Sequence, residues 1–254
     1  MNTFWKTLGV SVLSVGVLTA CGGEENTMSS NDNEEEAEEQ TQAEEEQEQQ
    51  QEEAQSPNIE VAEEAFGART DSIDNTYATY SAVIKNTGDA PANIGDIQIN
   101  FEGEEGTIVG TAPMVMAVPD VVMPGEEAYI SDYTGIEGVE SHEAVADASV
   151  NIDFDAADEE PMMLETEGVQ VKTDDMFPYI VTGTVINPNE ETADDIRLAA
   201  ALYDDAGELI GVLSGSIQVS LNPDGKAGFE LNMPELPSDK EAAEVNVKAY
   251  NWSF

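Results

Sequence analysis

Between Thr76 and the C-terminus the chain is written in short alternating runs. In Asp96-Ile97-Gln98-Ile99-Asn100-Phe101 the apolar residues Ile97, Ile99 and Phe101 recur at period two, so they share one face of a strand. Val150-Asn151-Ile152-Asp153-Phe154 and Val245-Asn246-Val247-Lys248-Ala249-Tyr250 alternate in the same way. Gly, Pro, Asn and Asp separate the runs, and Asp205-Ala206-Gly207-Glu208 reads as a hairpin turn. Helical signals are weak. Glu60 to Phe66 and Asp239 to Ala243 each predict one helical turn at most. Many short strands at this spacing predict antiparallel sandwiches.

The pattern occurs twice. Tyr80-Ser81-Ala82-Val83-Ile84-Lys85-Asn86 parallels Val181-Thr182-Gly183-Thr184-Val185-Ile186-Asn187, each a strand entering an Asn-centred turn. Ile97 to Glu102 is then matched with Ala199 to Asp204, and Met123-Pro124-Gly125 with Asn222-Pro223-Asp224-Gly225. An acidic stretch ending in proline, Ala156 to Pro161, separates the copies. The predicted fold is all-β: two tandem antiparallel β-sandwich (Ig-like) domains, 57–158 and 159–254, after a disordered acidic tether.

The first 56 residues carry a different pattern. Lys6 precedes an apolar stretch, Leu8 to Val17, and Leu18-Thr19-Ala20-Cys21 follows. That order is the layout of a secretory signal over residues 1–20. The cysteine at its end makes the segment resemble a bacterial lipoprotein lipobox. The resemblance implies cleavage between Ala20 and Cys21, acyl chains on the Cys21 thiol, and a location on the extracellular face of the cell membrane. No later apolar run approaches the ~18 residues of a membrane span, so the lipid is the expected anchor. Two or more acyl chains hold stably where one does not. Residues 21–56 are rich in Glu and Gln and lack aromatic and branched aliphatic residues, so they cannot offset ordering entropy. Such a tether spans roughly 30–35 Å on average.

Charge narrows the partners. The chain carries 54 acidic and 8 basic residues, a formal charge of -46. Residues 57–254 alone hold 40 acids and 7 basic residues, or -33. Phosphate binding needs Lys and Arg, which excludes nucleic acid as an expected partner. Such self-repulsion is relieved by salt, so a protein adapted to high external salt is expected. Cys21 is the only cysteine, which leaves none for disulfides, thiolate metal sites or thiol catalysis once it is acylated.

The second copy resembles the FxLYD domain of bacterial lipoproteins, on Val185-Ile186-Asn187 and Leu202-Tyr203-Asp204 followed by a glycine turn. Ala200 stands where the family has Phe. The resemblance covers roughly residues 170–254 and implies a small β-sandwich on secreted or lipid-anchored proteins, with no catalytic residues to carry over. In physical terms Leu202 packs inward, Tyr203 covers an edge or bonds through its hydroxyl, and Asp204 accepts turn amide protons.

Little else in the chain points to chemistry. His142 is the sole histidine and sits among Glu140, Ser141 and Glu143, which reads as a solvated loop. No Gly-x-Ser-x-Gly turn presents a nucleophile, and no P-loop or dinucleotide glycine pattern is present. Asp153, Asp155 and Asp158 are the candidate ligands for Ca²⁺, against the alternative of a solvated linker. Met114, Met116, Met123, Met162 and Met163 are expected to fill core gaps, against the alternative of an adaptable surface, and Trp252 and Phe254 to pin the last strand rather than bind a ligand. The function expected is non-enzymatic: a monomeric, lipid-anchored binding or scaffolding protein with an unidentified envelope or extracellular protein partner and no cofactor. An extracellular protein binding a small solute or Ca²⁺ between its modules is the alternative, and a hydrolase ranks last.

Overall fold

A computed structural model describes residues 55–174 and 176–252. The expectations for the leader, for Ala20 and Cys21, for nearly all of the tether and for Phe254 fall outside these residues.

Alternation dictates strands, and the described residues form fourteen with no α-helix. In the first copy β1 (Ile59–Thr70), β2 (Thr76–Asn86), β7 (Glu127–Ile136) and the short β5 (Ala117–Val118) make one antiparallel sheet in the order β1-β2-β7-β5. Facing it, β3 (Ala92–Glu102) pairs with β4 (Ile108–Val115), with β8 (Asp147–Ala156) and with the two-residue β6 (Val121–Val122). In the second copy β9 (Met162–Lys172), β10 (Ile180–Ile186) and β13 (Lys226–Asn232) repeat β1, β2 and β7. β11 (Ile196–Tyr203), β12 (Leu209–Ile217) and β14 (Glu244–Asn251) repeat β3, β4 and β8. β14 also pairs with β9 over three residues, which joins the two sheets of this copy at one corner.

Each copy has its own core. Ile97, Ile99 and Phe101 are fully buried between the sheets of the first, together with Tyr80, Ile84 and Ile130, and Phe66 meets Phe101 across the sandwich at 6.2 Å. Leu198, Leu202, Ile210, Leu213 and Val185 do the same in the second. The linker between copies runs from the end of β8 at Ala156 to the start of β9 at Met162, where the acidic, proline-ended stretch falls.

Three expectations are corrected. Glu60 to Phe66 is strand rather than helical turn, because β2 supplies its backbone partners and Phe66 and Ala65 go to opposite faces. Asp239 to Ala243 is not helical either, because its backbone is bonded elsewhere. The Tyr179 hydroxyl donates to the Lys240 carbonyl and accepts from the Ala242 amide, and the Ala243 amide donates to the Tyr203 carbonyl. The pairing of β3 with β11 is also one residue out. The Gly103 amide closes its turn on Thr107 as Asp204 does on Glu208, and the Glu102 and Tyr203 carbonyls accept from Ala146 and Ala243. Phe101 therefore corresponds to Leu202, both facing in. A one-residue slip would turn each strand's core residues to the opposite face of its sheet.

The two sandwiches do not stand apart. The outer face of β1-β2-β7 in the first copy lies against the outer face of β12-β11-β14 in the second. There Val83, Val118, Tyr129, Ala199, Ala201, Leu209, Val212 and Tyr250 form a third buried apolar layer. Burying Val83 and Val212 contributes about 1.5–3 kcal/mol each. The described residues fall in a single compact unit.

Candidate functional site

Divergence between the copies built this seam. Ala199, Ala201 and Tyr203 on β11 meet the first sandwich, whereas the matching positions on β3 are Gln98, Asn100 and Glu102 on the far side of the molecule. Small side chains let the sheets approach. The Val212 amide on β12 then donates to the Ser81 hydroxyl at 2.9 Å, and the Ser131 and Ser214 hydroxyls bond at 2.8 Å. One end of the seam closes on Gly67, where an added Cβ would lie 2.6 Å from the Pro237 carbonyl oxygen.

Charge is concentrated around the seam. The Lys248 ammonium sits 5.3 Å from the Tyr129 ring centre. Desolvation, and then the Glu127 charge, raise the Glu63 carboxyl above its ordinary value. Burial and the carboxylates of Glu63, Glu127 and Glu244 push the Tyr203 hydroxyl up to about 12. At the opposite end burial raises Asp120, while the side chains of Tyr250 and Trp252 beside it pull the other way. Arg197 pairs with Asp195 at 3.1 Å and stacks on Trp252 at 4.6 Å, so Trp252 does hold the end of β14.

Past the Gly67 contact the sandwiches diverge into an open cleft of about 1110 Å³. One wall is the last turn-ward part of β1 (residues 67–70) with Asp71, Ser72 and His142, and the other is residues 176–179 and 234–239 with Asp174. Arg69 reaches across to Glu235 at 3.2 Å. Asp71 Oδ1 accepts the Ile73 and Asn75 amides, which holds its carboxyl below the ordinary range, and Asp174 Oδ1 accepts those of Met176 and Phe177. Polar lining dominates, and Met176 on one wall is an apolar side chain left 74% exposed.

The residues singled out from sequence are scattered around this cleft rather than gathered in it. His142 does line it. Its backbone amide donates to the Thr70 hydroxyl at 2.8 Å, and its ring Nδ1 lies 3.2 Å from the same oxygen. A threonine thus holds the ring where a catalytic base would have a carboxylate. Asp153 and Asp155 project from the exposed face of β8, with Asp158 in the linker beyond. Among the described residues no three His, Cys, Asp or Glu side chains converge as metal ligands, so these three are not brought together. Leu202 is buried in the second core. Tyr203 lies half-buried at the seam. Asp204 Oδ1 accepts the Ala206 and Glu208 amides at 2.9 Å each, and its Oδ2 takes Lys240 at 2.7 Å. Lys240 also pairs with Glu208. The methionines depart from expectation: Met162 packs on the second core, but Met114 is 84% exposed and Met116 and Met163 are exposed as well. Met114 sits at φ +60 on edge strand β4, where the bent backbone turns its side chain out.

No family model matches the chain, and no curated protein matches it significantly.

Proposed function

We propose that this chain is a non-enzymatic binding protein of the outer cell envelope. It is anchored by acyl chains on Cys21, held off the membrane by its acidic tether, and grips a ligand in the cleft between its two sandwiches. One observation carries the reading. Two separately cored sandwiches are locked by a buried seam, so four distant segments of chain face each other across a fixed opening. A linker alone would leave domain motion as the default. The resemblance of the second copy to FxLYD domains belongs to the same reading, as does adaptation to high salt. A small-solute or Ca²⁺ carrier draws less support, since the opening is wide and, among the described residues, no three carboxylates converge as metal ligands.

The test is made on cells at native salt. A photo-crosslinking residue at Ser72 or Met176 is expected to capture a partner that the same residue at Asp153 does not, and mass spectrometry of the native protein is expected to find an acylated Cys21 as first residue. An unmodified thiol with the leader retained would contradict the anchor. Equal capture from all three positions would contradict the cleft.

A further inference from the structure

We infer that the cleft takes an extended, basic peptide segment, which adds as a strand to the free edge of β1 and seats an apolar side chain against Met176. This rests on the reading of the cleft as the ligand site and names the ligand's class.

Three independent features converge. The first is the backbone. Among the described residues β1 pairs only with β2, which makes it the edge of its sheet, and its residues 67–70 line the cleft. An edge strand presents a row of N–H and C=O groups with no partner, which is a template for an added strand. Glycans and small solutes lack a main chain of N–H and C=O groups at strand spacing to match it. The second is shape. The opening, of about 1110 Å³, is a groove rather than an enclosure, which admits an extended segment. The third is charge and wall chemistry. Asp71, Asp174, Glu235 and Asp239 line the groove against Arg69, which Glu235 already neutralises. The formal -33 of residues 57–254 steers cations toward it and rejects acidic ligands. Met176, 74% exposed on one wall, offers an apolar contact to alternate side chains of an added strand.

The test uses the folded chain with two fluorescein-labelled octapeptides of alternating lysine and leucine or valine. One is unmodified, and the other is N-methylated at every second amide, with equal charge but no capacity to pair. Anisotropy is expected to show binding of the first and not of the second. Met176→Ala and Asp239→Asn, which remove an exposed side chain and a carboxylate, are each expected to weaken binding about five-fold or more. Asp153→Asn carries the same charge change on the exposed face of β8 and is expected to leave binding within two-fold. Equal binding of both peptides, or equal weakening by Asp153→Asn, would reduce the effect to bulk charge and overturn the inference. Cellohexaose binding that is lost in Met176→Ala, with no peptide binding, would overturn the peptide and keep the cleft. Binding of neither probe would sink both.

Discussion

Asn86 and Asn187, 101 positions apart, share a pattern of bonds in the two sandwiches. Each side-chain amide donates to two carbonyls: Asn86 to Ala90 and Val122 at 2.8 Å, Asn187 to Glu191 at 2.7 Å and Leu221 at 2.8 Å. Each Oδ1 accepts an amide two residues on, from Gly88 and Asn189 at 3.0 Å. Their backbones close identical exchanges with 125–126 and 224–225. Both are fully buried. The asparagine ties the end of one strand to the turn before another, at a corner where the sheet ladder has ended.

Asn86→Ala should withdraw a donor from the buried Ala90 and Val122 carbonyls, at up to about 1–3 kcal/mol each. Asn187→Ala should cost less, because the Leu221 carbonyl keeps the Ala193 amide and Glu191 is exposed. Both are expected to lower the urea midpoint, Asn86→Ala the more, without a change in slope. Asn→Asp at either site is expected to be worse, since it replaces two donors by acceptors facing carbonyls. A loss under about 0.5 kcal/mol at either site would show that the corner is not held this way.

Acidification has a sign that the partly desolvated carboxyls fix. Glu63, Asp120 and Asp132 all have folded values raised, chiefly by desolvation. The folded state therefore binds protons before the unfolded chain does, and stability rises as pH falls from neutrality toward the ordinary values of 4.5 for Glu63 and 3.8 for the aspartates. Asp204 runs the other way. Lys240 and the turn amides hold it low, so its contribution is lost as pH drops below 3.8 toward its folded value. Thermal scans should show Tm climbing from pH 7 to about pH 5 and collapsing in stronger acid. Asp120→Asn with Asp132→Asn should flatten the rise. A Tm that falls steadily from pH 7 downward would contradict this ordering.

Salt acts on the same charges. With a Debye length of ~8 Å at 0.15 M and ~3 Å at 1 M, molar NaCl screens most of the repulsion within residues 57–254. Tm is expected to rise between dilute buffer and molar NaCl, and sodium sulfate is not needed for the effect. A flat or falling Tm over that range would remove the case for salt adaptation.

Inward faces were legible because burial enforces period two: Ile97, Ile99 and Phe101 announce themselves, and so do the repeat and its linker. The seam was not. Ala199 and Ala201 read as bland strand residues, and only their contrast with Gln98 and Asn100 marks a second buried face. That contrast was hidden by a register one residue out, which set Ile97 against Ala199 and so compared an inward residue with an outward one. The strand at Glu60 to Phe66 looked helical because an edge strand with one exposed face carries the glutamates that also suit a helix. The cleft could not be read at all. Its walls come from segments around 67, 142, 176 and 236, and nothing local in any of them reports that sheet faces outside the two cores would meet.

The account rests on that meeting being permanent, and the Val212 amide reports it. Val212 lies on edge strand β12, and its N–H is bonded to the Ser81 hydroxyl of the other sandwich. Native-state hydrogen exchange at this single amide therefore reads docking directly. The prediction is exchange as slow as at the core amides of Leu198 and Leu202, released only by global unfolding, and accelerated by Ser81→Ala. Exchange orders of magnitude faster at Val212, with Leu198 still protected, would mean that the sandwiches part on their own and that the cleft is not a fixed site.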